Sequence, residues 1–146
     1  RFEESLKEVS YLAAFIPVLM GMGGQVGIQS SPIVVRGLAT GRIHIRDLWR
    51  VVLKELSVGF ILGVIYALLL AVLTQAHYNL GGLTMAVSMG LLSSMTIAAL
   101  IGALLPMLFA RVDIDPAVAT GPFVTSAIDI LSVFFYFQLA TLLLGI

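Results

Sequence analysis

Long apolar runs broken at a few polar stretches set out the plan of this chain. Residues 9–31 carry no charge, and their length is about that of one bilayer crossing, which takes ~20 residues. Residues 56–110 contain no Asp, Glu, Lys or Arg and are too long for one crossing. The sequence Gln-Ala-His-Tyr-Asn-Leu-Gly-Gly at 75–82 supplies the break, giving spans at about 56–74 and 83–109. A charged turn with Arg111, Asp113 and Asp115 precedes a last span at about 116–145. The pattern predicts an all-α, polytopic membrane protein with four transmembrane helices, one of them kinked at its Gly and Pro residues.

Composition agrees with that pattern. Hydrophobic residues make up 60% of the chain and charged residues 11%, against about 25% in an ordinary soluble domain. This is the composition of an integral protein of the cell membrane, with the lipid bilayer as its solvent. Net charge is zero and no basic arm is present, so nothing points to nucleic acid. The absence of cysteine excludes thiol chemistry, disulfides and Cys-based zinc sites. His44 and His77 lie far apart without a carboxylate cluster, a poor metal site. No catalytic triad or HExxH pattern is present, so the chain is not expected to be an enzyme. The charged N-terminus shows no signal peptide and reads as the start of a piece cut from a longer protein.

Charge also orients the spans. Arg36, Arg42, Arg46, Arg50 and Lys54 outnumber Asp47 and Glu55 between the first two spans, and short basic loops stay cytoplasmic. The 75–82 loop is then outside, the 111–115 turn inside and the C-terminus outside. A protein that starts in the cytoplasm needs one more span upstream. The run itself reads as a topology signal and a solvated helix face. Small residues mark helix contacts: Gly23 and Gly27 on the first span, Gly59 and Gly63 on the second, and Ser94, Ala98 and Gly102 on the third. Pro106 is expected to end or kink the third span.

Candidate chemistry concentrates in the last span. Its one charged side chain is Asp129, roughly 21 Å along a helix from Asp115, near the middle of a ~30 Å hydrocarbon layer. A carboxylate at that depth is costly unless it faces water, a partner or an ion, and no apolar segment holds a Lys or Arg to pair with it. Asp115 can cap the helix and Pro116 suits its first position. Thr125 and Gly121 lie one and two turns before Asp129. Ser132 and Tyr136 follow three and seven residues after it, and together these predict one polar face. The hydroxyls of Thr125 and Ser126 equally suit back-bonding to carbonyls one turn earlier.

The first span is unusual in its second half, which reads Gly21-Met-Gly-Gly-Gln-Val-Gly-Ile-Gln29 before Pro32. Irregular backbone at membrane depth is tolerated where it lines a watery path. Gln25 and Gln29 fall one turn apart, which fits either a pore-side row or helix–helix hydrogen bonding. A phosphate-binding loop does not fit, because the spacing is not GxGxxG and no Lys-Ser/Thr follows.

With that stretch, Val35-Arg-Gly-Leu-Ala-Thr-Gly41 and Asp115-Pro-Ala-Val-Ala-Thr-Gly-Pro-Phe-Val-Thr-Ser-Ala-Ile-Asp129, the chain resembles the MgtE family of magnesium channels. The likeness covers nearly all of it. It implies a homodimer with five spans per chain, of which this chain holds the last four. The same likeness implies that the upstream span and the cytoplasmic magnesium-sensing domains of the family lie outside this stretch. It also implies a pore on the dimer axis, lined by the spans at 9–31 and 116–145. The family's pore aspartate falls on Asp129, and pore-lining positions one and two turns earlier fall on Thr125 and Gly121. Gly21, Gln25, Gln29 and Ser126 are expected to line the same path. Two departures stand out: Gln25 replaces the usual Asn after the Gly-Gly pair, and Ser126 replaces a common Thr. The implied function is a divalent cation channel that moves hydrated Mg2+, the transported ion, past Asp129. A proton- or sodium-coupled transporter using Asp129 as its coupling carboxylate, or a scaffold whose polar positions only join helices, would present the same residues.

Overall fold

The computed structural model describes residues 2–145, and among them the fold is all-α. Four long helices follow in order: α1 (Phe2–Ala39), α2 (Leu48–Tyr78), α3 (Gly81–Arg111) and α4 (Pro122–Leu144). Two short 3-10 turns, Ile45–Asp47 and Pro116–Ala119, precede α2 and α4. Each long helix contains a stretch long and apolar enough to cross a membrane, so the chain is a multi-pass membrane protein.

The helices end where the local chemistry requires. Asn79 takes the left-handed conformation (φ 52°) and its N–H donates to Gln75 O at 3.0 Å, closing α2. Gln75 and Asn79 also bond through their side chains, and Thr84 Oγ donates to Gln75 Oε1 at 3.1 Å. The outer break is therefore only Asn79 and Leu80, shorter than the polar stretch implied. At the far end of α3, Ile114 N–H reaches back to Phe109 O and Asp113 adopts positive φ.

Helix α3 is the spine. It packs against α1, α2 and α4, whereas α1 and α2 scarcely meet. Small residues make the close approaches. Gly59 and Gly63 of α2 sit on Met95, Ala99 and Leu92 of α3, where an added Cβ has no room. Gly102 of α3 meets the backbone of Gly27 at 3.0 Å from its would-be Cβ, and Ser94 Oγ donates to Leu19 O. The stripe Ser94, Ala98, Gly102 is fully buried, as expected of a helix contact. Among the described residues, side chains link α1 to α2 directly at two levels. Tyr11 and Phe15 pack edge-on against Tyr78 at one end, and Ser30 binds Glu55 toward the other.

The prolines inside α3 and α1 do not end those helices. Pro106 neither ends α3 nor stops its backbone pattern: it is buried and the helix runs on to Arg111. Likewise α1 stays helical through Pro17, the glycine-rich stretch and Pro32. Neighbouring helices supply the packing that holds such segments in register, which an isolated helix would lack.

Candidate ion site

The segment that carries Asp129 is built differently from a single helix starting at Pro116. Asp115 does cap: its Oδ1 accepts the N–H of Ala117 at 2.9 Å, but the turn it caps is 3-10 and stops at Ala119. Thr120 is extended, and Gly121 follows at φ 60°, ψ −134°, a conformation that only glycine adopts without strain. Pro122 then occupies the first turn of α4. The cause is the second proline. Inside a continuous helix Pro122 would forfeit a hydrogen bond and clash with the carbonyl of Val118, whereas at a new helix start it loses nothing. Gly121 is thus a break in the backbone, not a position on the face of α4.

Two predicted members of the polar face are also elsewhere. Ser132 and Tyr136 are fully buried, in the row Val124, Ile128, Ser132, Tyr136, Ala140 that packs inward. Tyr136 O–H donates to the carbonyl of Leu12 on α1 at 3.0 Å, and its ring fills the space beside Gly90 of α3. Ile128 fills the space beside Gly27, while Ser132 lies close to Gly23. Asp129 falls between those two contacts, at the level of the Gly23–Gly27 turn of α1. Beside that turn Gly24 has no atom within 4 Å of where a Cβ would stand.

Asp129 itself is half-buried and has no hydrogen bond or ion pair among the described residues. One turn earlier Thr125 Oγ donates locally, to Gly121 O at 3.0 Å with Pro122 O at 3.1 Å, which is the back-bonding its position allows. Its lone pairs remain available as acceptors. Ser126 is exposed. On α1, Gly21, Gln25 and Gln29 are all exposed and fall in one row at steps of four. Within one chain the contacts of Ile128 and Ser132 set Asp129 at the level of the glycine turn of α1, and no ligand cluster is assembled among the described residues. Among the described residues no group of three His, Asp or Glu side chains could hold a metal ion.

A cleft of about 910 Å³ lies elsewhere, between the α1–α2 turn and the segment from Asp113 to Ala117. Its walls are mostly apolar, Val35, Leu38, Ile43 and Ile114 among them, but His44, Arg46, Asp113 and Asp115 line it too, and Asp129 does not. One ionisable residue was hidden in the charged stretch. Glu55 is 8% exposed, and its Oε2 accepts the hydroxyl proton of Ser30 at 2.8 Å. Next to Ser30, Ser31 bonds the carbonyl of Ala119, tying α1 to the turn before Gly121.

A comparison with known families decides the lineage. Residues 16–139 match the family model described as MgtE, divalent cation transporter. The chain belongs to the MgtE family. It is 38% identical to the magnesium transporter MgtE of Thermus thermophilus, over 98% of this chain and 32% of that protein. Against the Enterococcus faecalis magnesium transporter MgtE it is 34% identical, covering 97% and 31%. Against that of Bacillus subtilis it is 32% identical, covering 96% and 31%. The chain thus spans about a third of the length of the curated relatives it matches. MgtE proteins are transporters, not enzymes.

Proposed function

We propose that this chain is the conducting part of a magnesium channel that works as a homodimer, with Asp129 from each chain on the two-fold axis. One observation carries the reading. A carboxylate inside an apolar span, about two turns past the start of α4, is half-buried and has no partner among the described residues. An ionised group at that depth needs water, a counter-charge or an ion. The relatives' names, magnesium transporters, supply the ion.

Two-fold symmetry turns one carboxylate into two facing ones. Magnesium binds through one or two carboxylates and keeps several waters, so a pair of Asp129 side chains suits the hydrated ion. Thr125 sits one turn toward the inner end, where its oxygen accepts from a water of the ion's shell. Gly121, Ser126 and the α1 row Gly21, Gln25 and Gln29 form the remaining wall. Gln25 is longer than Asn by one methylene and narrows that wall. Gly24, with open space beside it, leaves room for water at the level of Asp129.

A second reading rests on the break at Gly121. An interrupted helix beside a membrane carboxylate also serves coupled transporters, with Asp129 carrying a proton or sodium. Magnesium flux that ignores imposed proton and sodium gradients separates the channel from the transporter.

The decisive experiment is Asp129→Asn in the full-length protein. It keeps size, removes charge, and should abolish magnesium flux while the dimer still forms. Normal flux in that variant overturns the reading. Cysteine placed at 121 or 125 should cross-link two chains and cysteine at exposed Phe134 should not; the reverse pattern puts the axis elsewhere.

A further inference from the structure

At the end of the bundle that the Arg and Lys excess assigns to the cytoplasm, a notch of about 250 Å³ lies between α1 and α2. Ile33 and Val34 of α1 and Val51 of α2 form its apolar walls. Arg42 from the connecting turn and Arg50 and Lys54 of α2 bring three cations to it. Arg50 and Lys54 are one helical turn apart and so share a face. None of the three has a side-chain hydrogen bond or ion pair among the described residues. The two carboxylates that also line the notch are both engaged. Asp47 Oδ2 accepts the backbone N–H of His44 at 3.1 Å, and Glu55 Oε2 accepts from Ser30 at 2.8 Å. Counted formally, three cations against two carboxylates leave the notch a net charge of +1, and the groups in it without a direct partner are the three cations.

The surroundings are those of a lipid headgroup region. Trp49, near the start of α2, is 73% exposed, and tryptophan favours the membrane–water boundary. Farther along α2, Leu53, Val58 and Ile61 are exposed and give acyl chains an apolar track. Basic pockets between transmembrane helices on the cytoplasmic side bind anionic headgroups. We propose that this notch binds the phosphate of an anionic phospholipid through Arg42, Arg50 and Lys54, with the lipid's chains laid along α2. Ion conduction through Asp129 does not depend on it.

Native mass spectrometry of the full-length protein in detergent, titrated with phosphatidylglycerol or phosphatidylcholine, tests the assignment. Phosphatidylglycerol should bind at least ~10-fold more tightly than phosphatidylcholine. A cation near the surface is worth about fivefold in affinity, so Arg50→Gln with Lys54→Gln should weaken phosphatidylglycerol about 30-fold and leave phosphatidylcholine unchanged. Exchanging the two cations, Arg50→Lys with Lys54→Arg, should keep most of the binding. Arg111→Gln, exposed and outside the notch, should change nothing. All substituted side chains are exposed, and an unaltered size-exclusion profile confirms folding. Equal binding of the two lipids, or undiminished phosphatidylglycerol binding in the double variant, overturns the proposal. Displacement of the lipid by millimolar inorganic phosphate overturns it too, since the site would then serve free anions. An acidic segment of the same protein seated in the notch would erase the lipid preference in the unsubstituted protein, and that result overturns the proposal as well.

Discussion

Replacing Ser30 with Ala removes one oxygen and leaves in place the Cβ that packs beside Gly102. The buried carboxylate of Glu55 then loses the hydroxyl that donates to it at 2.8 Å. A hydrogen bond to a charged group contributes about 1.5–3 kcal/mol net. Polar contacts between transmembrane helices average about 0.6 kcal/mol and reach about 1.7 kcal/mol. The two ranges meet near 1.5 kcal/mol, the expected cost of Ser30→Ala. Glu55→Leu alone leaves a buried serine without its acceptor and should cost about 1 kcal/mol. The pair Ser30→Ala with Glu55→Leu removes both polar groups, so its cost should fall well short of the sum, with a coupling of about 1 kcal/mol. Reversible unfolding in mixed detergent micelles, run on all four proteins, measures that coupling. A coupling under about 0.3 kcal/mol, within the additivity expected of unrelated sites, would mean that the bond does not hold α1 to α2.

Three further outcomes follow from the backbone and the packing. Gly121→Ala places a Cβ in open space but at a φ of 60° with ψ −134°, so pure backbone strain should cost about 1–3 kcal/mol in the same unfolding assay. Gly102→Leu meets the backbone of Gly27 rather than a yielding side chain and should part α1 from α3, seen as loss of the monodisperse protein on size exclusion; Leu68→Ile on the outer face of α2 should be silent. An impermeant thiol reagent should label cysteine at exposed position 79 from outside and at exposed position 44 only from inside, and the opposite labelling reverses the orientation read from the arginines.

The four helices are legible in the apolar runs because bilayer thickness, not local propensity, sets their length. Their contacts are legible too: glycine and serine at steps of four on α3 mark where backbones approach, and Ser94 and Gly102 are buried there. The start of α4 is not read correctly from Pro116 alone. Pro122 carried the missing signal, since two prolines six apart cannot both begin one helix without the second costing a bond. Ser132 and Tyr136 mislead for a different reason. At about 100° per residue Ser132 and Tyr136 stand roughly 60° and 20° round the helix from Asp129, on the flank that packs inward, where Tyr136 finds a carbonyl and Ser132 Oγ has no partner among the described residues. Glu55 escaped notice because its charge reads as solvent exposure, whereas its burial depends on a hydroxyl from another helix. The spacing within α2 does carry a signal, because Glu55 stands one turn before Gly59 and Gly63 on the same buried row.

Helix α2 obeys two selection rules at once. Toward α3 it presents Gly59, Gly63 and Ala67, all buried, and there the constrained quantity is size: one methyl group decides whether the helices fit. On its other side Phe60, Ile61, Ile65, Leu68, Leu69, Val72 and Leu73 are exposed. The apolar medium that meets them has no fixed shape to match, so the constrained quantity is hydropathy and the particular side chain carries almost no information. Among descendants of this sequence the outer face should drift freely through Ile, Leu, Val and Phe while the inner face stands still. A helix of nearly uniform apolar composition therefore hides a sharp two-sided asymmetry in how many sequences it accepts.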